Sequence, residues 1–243
     1  MDRIVLDQKV DIGKEVKIKG PPLEALRFQG GRVGSLLTLT DAEGNDFRGR
    51  VLYLSEKEAS VLVFEAFPSS TESPIEIILL QALPEKERME LVIQKATELG
   101  VSAIIPFKSE RSISLEEREA KQKKAHRWQE IAIKAVQQSR RARVPWVEYY
   151  HSLNEALKTC EGDGLKIFLW EKEGESLRNV LVRYRPKKIY AMVGPEGGFT
   201  EEEVRLAKDE GFVPIKLGQR ILRTETAAIA LVGIIQYELG DLS

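Results

Sequence analysis

Two loops rich in glycine, arginine and glutamate hold the residue types best suited to chemistry. The first loop, residues 194–198 (GPEGG), follows the apolar run Ile189–Val193. The second loop, residues 217–226 (LGQRILRTET), follows the apolar run Phe212–Leu217. Ligands of open α/β sheets bind beyond the carboxyl ends of the strands. If both runs are strands of one sheet, the two loops form one ligand site.

The first loop has two interpretations. Its three glycines would let the backbone approach a ligand and expose its N–H groups, although any strand-to-helix turn also favours glycine and proline. It matches neither the dinucleotide pattern GxGxxG nor the phosphate-binding pattern GxxxxGK[ST]. The acidic residues 201–203 would repel phosphate, so an adenosine that carries a sulfonium fits better than a triphosphate. Thr200 and Glu203 predict a capping box, and Gly211 predicts the end of the helix.

The second loop is unusual because Arg220, Arg223 and Glu225 lie beside apolar residues. One interpretation is a structural ion pair, Arg223 with Glu225 or Arg220 with Glu196. The other is an arginine that faces an anionic ligand or a nucleobase and is oriented by Glu225. The following helix, Ala227–Leu239, is apolar on almost every side, which predicts deep burial.

The region from residue 74 to residue 243 alternates between predicted strands and helices. Ile75–Leu83 is an almost continuous apolar run, typical of a strand buried on both faces. A helix with apolar residues at helical spacing begins at Pro84 and ends at Gly100. About six strands joined by helices predict an α/β domain with a mostly parallel sheet. The later elements are strands Val101–Phe107, Trp146–Tyr150, Leu165–Trp170 and Lys188–Val193, and helices Ser152–Thr159 and Glu175–Tyr184.

Residues 1–73 predict a separate small β-barrel. Short strands alternate with glycine-containing turns, and a helix is expected only near Pro22–Phe28. The segment Pro68–Pro74 is polar with proline at both ends, which predicts a linker and therefore domains at 1–73 and 74–243. The predicted strands are Val16–Gly20, Ser35–Thr40, Phe47–Leu54 and Ala59–Phe67.

Positive charge is concentrated in one segment. Lys108–Arg143 carries eleven Lys or Arg against five Glu, a net charge of +6, whereas residues 1–73 have a net charge of −2. We expect a long charged helix over Glu116–Arg143. Its basic face is either simply solvated or contacts nucleic acid. The arginines near Pro145 would also suit the negative end of a helix dipole, so they do not decide between the two.

Composition excludes several classes of protein. The net charge of −1 excludes a uniformly basic nucleic-acid binder. The single cysteine, Cys160, excludes a disulfide framework and a cysteine-based zinc site, and it indicates a reducing compartment. Two histidines are too few for a histidine-rich metal centre. No apolar run approaches the ~20 residues of a membrane span, and no signal peptide is recognisable, so we expect a cytoplasmic protein.

Three segments together resemble a known family. They are GPEGGFTEEE at the first loop, LGQRILRTETAAIAL at the second loop, and RMELVIQKATELGV at Arg88–Val101. They resemble the RsmE family of ribosomal RNA uridine-N3 methyltransferases, within the SPOUT class. The likeness extends from about residue 75 to the end and is looser in the N-terminal region.

The resemblance implies a SPOUT-type α/β fold with a C-terminal trefoil knot, an exception to the rule against knots, and a small N-terminal PUA-like β-barrel that helps to hold RNA. It implies S-adenosyl-L-methionine as cofactor, a homodimer, and a substrate uridine in 16S ribosomal RNA of the small subunit. The residues expected to bind the cofactor are Leu169, Trp170, Val193, Gly194, Pro195, Glu196, Gly197, Gly198, Leu217, Gly218, Ile221, Leu222, Thr226 and Ala227.

The implied reaction assigns roles to the charged residues. Uracil N3 must lose its proton, and the resulting anion must be stabilised by positive charge, for which Arg223 or Arg220 is suited. Glu196 or Glu225 would take the proton or only orient an arginine. Two alternatives remain open: an RNA-binding module with a relic cofactor pocket, and a methyltransferase for transfer RNA. The residues expected to bind RNA are Arg27, Arg111, Arg140, Arg141 and Arg143.

Overall fold

The chain divides into two compact units, Met1–Glu72 and Ser73–Ser243. The computed structural model describes residues 3–28, 30–43, 45–67, 72–112, 125–139, 141 and 143–242. Most of the linker expected at Pro68–Pro74 and the first part of the expected helix Glu116–Arg143 lie outside these residues, as does Arg140.

The elements of the N-terminal unit are β1 Arg3–Val5, β2 Glu15–Ile18, α1 Pro21–Phe28, β3 Leu36–Thr40, β4 Asp46–Leu54 and β5 Ala59–Ala66. Within its described residues, the unit contains one five-stranded sheet in the order β1-β3-β4-β5-β2. Strands β3 and β4 form an antiparallel hairpin, and the Asp41 carboxylate stabilises it by accepting hydrogen bonds from the N–H groups of Glu43 and Asn45 at 2.9 Å each. Leu37 and Leu39 of the hairpin are buried in the core of this unit.

The C-terminal unit contains an eight-stranded sheet within its described residues. Its strands are β6 Glu76–Ala82, β7 Ala103–Lys108, β8 Trp146–Val147, β9 His151–Ser152, β10 Leu165–Leu169, β11 Glu175–Ser176, β12 Lys188–Val193 and β13 Val213–Lys216. Its helices are α2 Lys86–Glu98, α3 Ala125–Ser139, α4 Leu153–Lys158, α5 Leu177–Tyr184, α6 Glu201–Asp209 and α7 Thr224–Leu239. The strand order is β11-β13-β10-β12-β6-β7-β8, with β9 beside β7, and every pair is parallel. The predicted α/β class with a mostly parallel sheet is confirmed.

The sheet is buried on both faces. Side chains of successive strand residues point to opposite faces, so Ile77 and Leu79 of β6 join one apolar cluster while Ile78 and Leu80 join the other. Residues of α2, α3, α5 and α7 complete the first cluster, and residues of α4 and α6 complete the second. This confirms that the first apolar run of the unit is a strand covered on both faces.

Two expectations need correction. The last helix is not buried all round: Leu231 and Ile235 are buried, whereas Ile234 is 39% exposed and Tyr237 is 61% exposed. An apolar composition on every side of this helix therefore does not mean that the rest of the chain covers every side of it. The strand expected at Trp146–Tyr150 is shorter, because only its first two residues pair with β7.

No helix in the described part of the chain is both long and apolar enough to cross a membrane.

The only cysteine of the sequence, Cys160, lies in the second apolar cluster. Burial raises the pKa of its thiol to about 11, so the reactive thiolate is a tiny fraction of the population near pH 8. We expect no reaction of the native protein with a chromogenic disulfide reagent at pH 8, and one reactive thiol per chain once guanidinium has unfolded it. Rapid labelling of the native protein would show that the thiol is accessible.

Candidate active site

The first loop is fixed by the helix that follows it. At the start of α6, Thr200 Oγ1 accepts the N–H of Glu203 at 3.3 Å, and the Glu203 carboxylate accepts the N–H of Thr200 at 2.9 Å. The predicted capping box is therefore confirmed, as is the glycine stop, since Gly211 follows α6 with a φ of 84°. Gly198 has a φ of 69°, which favours glycine at the end of the loop.

The acidic residues after the loop hold the structure together. Besides capping α6, Glu203 is buried and accepts the backbone N–H of Glu110 at 2.9 Å. Glu201 forms an ion pair with Lys172. Carboxylates of the chain itself therefore already lie at the N-terminus of α6, where the helix dipole favours negative charge. This agrees with a ligand that is not a phosphate.

Replacing Glu203 with alanine removes the acceptor for two backbone N–H groups. We expect the free energy of unfolding to fall by about 1–2 kcal/mol, the usual cost of losing a helix cap. Urea denaturation would measure the change. Glu202→Ala is the matched control, because Glu202 lies in the same turn but is exposed. Equal midpoints for the two variants would contradict the capping role.

Two buried hydrogen bonds that share the Thr224 hydroxyl, called the relay below, connect the second loop to the first. Thr224, the first residue of α7, donates its hydroxyl to the carbonyl oxygen of Gly194 at 2.6 Å. The Gln81 amide at the end of β6 donates to the same hydroxyl oxygen at 3.1 Å. Thr224 and Gln81 are both buried. These bonds hold the end of one loop against the beginning of the other.

The two loops enclose a cavity of about 510 Å³. Strands β13, β10 and β12 are parallel neighbours, so their carboxyl ends meet at one edge of the sheet, where the cavity lies. All residues expected to bind a cofactor line it except Thr226, which is exposed. The cavity is lined by Arg88, Leu169, Trp170, Glu171, Val193, Gly194, Pro195, Glu196, Gly197, Gly198, Phe199, Ile215, Lys216, Leu217, Gly218, Gln219, Arg220, Ile221, Leu222, Arg223, Thr224 and Ala227.

The ion pairs around the cavity differ from both pairs considered from the sequence. Glu196 pairs with Arg88 at 2.9 Å, and Glu225 also has Arg88 as its nearest cation among the described residues, at 3.9 Å. Arg220 and Arg223 are exposed and line the cavity, and neither guanidinium forms a hydrogen bond or ion pair with any residue that the structure describes. Two arginines are thus free to contact a ligand.

Sequence reasoning gave Arg88 no role at this site. Arg88 lies in the first turn of α2, more than a hundred residues before the loops that it contacts. The available signal was its place in the segment RMELVIQKATELGV, which supports the family resemblance. Glu225, which was expected to be catalytic, contacts Arg88 but does not line the cavity.

The arginines expected to bind RNA belong to different elements of the chain. Arg111 donates to the carbonyl oxygen of Gly197 in the first loop at 2.9 Å. Arg27 of the N-terminal unit donates to the carbonyl oxygen of Ser55 at 2.6 Å. Arg141 donates to the carbonyl oxygens of Thr97 and Val101, which fixes the turn between α2 and β7, whereas Arg143 is exposed. Contact of these residues with RNA stays a prediction.

The family model described as RNA methyltransferase domain matches residues 71–236, which contain the parallel sheet and the cavity at its carboxyl edge. This match places the chain in the class of RNA methyltransferases. The ribosomal RNA small subunit methyltransferase E of Bacillus subtilis is 35% identical over 212 residues, which are 84% of this chain and 82% of the relative. That of Aquifex aeolicus is 30% identical over 194 residues, 79% of this chain and 82% of the relative. The chain therefore belongs to the ribosomal RNA small subunit methyltransferase E family.

Solved structures agree with this assignment. The ribosomal RNA small subunit methyltransferase E from Neisseria gonorrhoeae, bound to S-adenosyl methionine, is 35% identical with a TM-score of 0.74, over all of both chains. A putative methyltransferase from Legionella pneumophila, in complex with the same cofactor, is 32% identical with a TM-score of 0.69, over 99% of this chain and 98% of that chain.

Proposed function

We propose that this protein transfers a methyl group from S-adenosyl-L-methionine to ring N3 of a uridine in 16S ribosomal RNA. Family membership supports the reaction and the class of substrate. The observation that carries the proposal for this chain is the cavity between two glycine loops, lined by two arginines without a partner among the described residues.

The cavity suits the proposed cofactor. Its volume of about 510 Å³ is within the ~300–1,000 Å³ usual for small-molecule sites. Leu169, Leu217 and Leu222 supply apolar surface for an adenine, and the glycines of the first loop leave backbone groups open to the polar parts. When bound, S-adenosylmethionine supplies a sulfonium methyl carbon, which bonds to N3 while the S–C electron pair returns to sulfur.

The residues of the chain have to orient the uracil and handle its proton. Arg223 and Arg220 are suited to stabilise the negative charge that develops on O2 and O4 as N3 loses its proton. Glu196 lines the same cavity and would receive the proton or orient an arginine. N3 lies on the Watson–Crick edge, so the uridine must be unpaired or extruded before it enters.

The proposal extends to the assembly. The five-stranded N-terminal unit would be a PUA-like barrel that holds RNA, and the C-terminal strands and loops would form a trefoil knot around the cofactor. The homodimer that the resemblance implies would cover the exposed apolar side chains of α7, Ile234 and Tyr237. The protein would act in the cytoplasm, where the small ribosomal subunit is its partner.

Nucleoside mass spectrometry of ribosomal RNA from cells that lack the gene tests the reaction and the substrate together. We expect N3-methyluridine to disappear from small-subunit RNA and to return when the gene is restored. Unchanged N3-methyluridine would contradict the proposal. A loss confined to transfer RNA would show that transfer RNA, and not ribosomal RNA, is the substrate. Isothermal titration with S-adenosylhomocysteine tests the cofactor, since failure to bind would rule out the enzyme.

A further inference from the structure

We propose that Arg88 is a positioning residue that keeps Arg220 and Arg223 free for the substrate by occupying the carboxylates that would otherwise pair with them. This inference rests on the proposed function of the same site. Arg88 belongs to neither loop. It reaches the cavity from the first turn of α2.

Glu196 is held on the α2 side of the cavity by two donors. Arg88 NH1 lies 2.9 Å from Glu196 Oε1, and the backbone N–H of Glu85 donates to the same oxygen at 3.2 Å. The carboxylate therefore lies at the N-terminus of a 13-residue helix, where the helix dipole also favours an anion. Arg88 and Glu196 are each only about one-third exposed, so their attraction is less screened by water than that of an exposed pair.

Glu225 depends on Arg88 in a different way. Its side chain is 13% exposed, and its Oε2 has no hydrogen-bond partner among the described residues. The Nε of Arg88, 3.9 Å away, is too distant for a hydrogen bond but supplies a compensating positive charge. A buried carboxylate without such a charge is strongly unfavourable.

Loss of Arg88 would change which partners these acids have. Glu196, Arg220 and Arg223 all line the same cavity. Without Arg88, Glu196 would lose the cation that it pairs with, and Arg220 and Arg223 line the same cavity without a partner among the described residues. An internal ion pair there would neutralise the charge that the proposed reaction requires, even though the fold and the cofactor pocket remain.

A double-mutant cycle separates this role from ordinary structural support. We expect Arg88→Met to lower kcat/KM for 16S ribosomal RNA by about tenfold or more in the wild-type background. In the E196Q background, the fold-loss from Arg88→Met should be smaller by a factor of about three or more. Independent structural effects would multiply instead, giving the same factor in both backgrounds. Lys86→Met is the matched control, because Lys86 lies in the same turn and its ion pair among the described residues is with Glu90, at 3.9 Å. It should keep the wild-type rate.

Two further measurements complete the test. Fluorescence anisotropy with a labelled oligouridine measures the RNA affinity of the same set of variants, so the double-mutant cycle can be repeated on binding without any turnover. Arg88→Lys keeps a positive charge, so it should retain at least about one-third of the wild-type kcat/KM, even if Arg88→Met folds poorly in thermal melts. Three results would each overturn the inference. The first is a wild-type rate and RNA affinity for Arg88→Met, and the second is an equal fold-loss from Arg88→Met in the wild-type and E196Q backgrounds. The third is an Arg88→Lys variant as slow as Arg88→Met. An inactive wild-type enzyme would instead contradict the proposed function, and the anisotropy cycle would still decide the inference.

Discussion

Arg223→Ala should lower kcat by about 10²–10³-fold, the range found when one donor that stabilises a developing anion is removed. The affinity for S-adenosylhomocysteine should stay within about threefold of wild type, because the cavity keeps its backbone lining. Arg223 lies at the N-cap of α7 but makes no side-chain cap bond. Its truncation should therefore change the free energy of unfolding by no more than ~0.5 kcal/mol, as for other surface substitutions.

The control for this prediction is Arg205→Ala, since Arg205 is exposed on α6 and does not line the cavity. Single-turnover methylation of ribosomal RNA measures the chemical step, and titration with S-adenosylhomocysteine measures binding. If Arg223→Ala binds this ligand normally and turns over at the wild-type rate, Arg223 is not the group that stabilises the uracil anion. Arg220→Ala, measured in the same series, would then show whether the neighbouring arginine has that role.

Local sequence signals predicted several of the longer elements of the fold. The strand Lys188–Val193 was predicted with its observed bounds because its apolar run ends at a glycine loop. Gly100 and Gly211 both follow the helices that they were expected to end, with φ values of 90° and 84°. Strands β8, β9 and β11 have only two residues each, which is too short for any periodicity to appear.

The site was predictable where it is local and not where it depends on distant contacts. Both glycine loops were identified because each directly follows an apolar run. The contacts of Arg88 with Glu196 and of Gln81 with Thr224 join residues more than a hundred positions apart. Nothing in the sequence near Glu196 or Glu225 indicated that α2 would supply their partner. The two ion pairs considered from the sequence were wrong because they were limited to the loops themselves.

Thr224→Val should weaken both the fold and the cofactor site. Valine has the shape of threonine without the hydroxyl, so the Gly194 carbonyl oxygen loses a donor and the Gln81 amide loses an acceptor. Leaving buried polar groups unsatisfied costs about 1–3 kcal/mol each, and Gln81 keeps a second bond, to Ala82. We expect a fall of about 2 kcal/mol in the free energy of unfolding, measured by urea denaturation.

The same variant should raise the Kd for S-adenosylhomocysteine by about tenfold, because the relay fixes how closely the two loops approach and a change of 1.4 kcal/mol in binding is tenfold in Kd. Thr224→Ser is the matched control, since it keeps the hydroxyl and both bonds. If the serine variant unfolds earlier than wild type and the valine variant does not, the methyl group rather than the hydroxyl stabilises this position. If the valine variant unfolds earlier yet binds the ligand as tightly as wild type, the relay stabilises the fold without shaping the cavity. The pair of variants therefore distinguishes a bond that supports the helix from a bond that sets the geometry of the site.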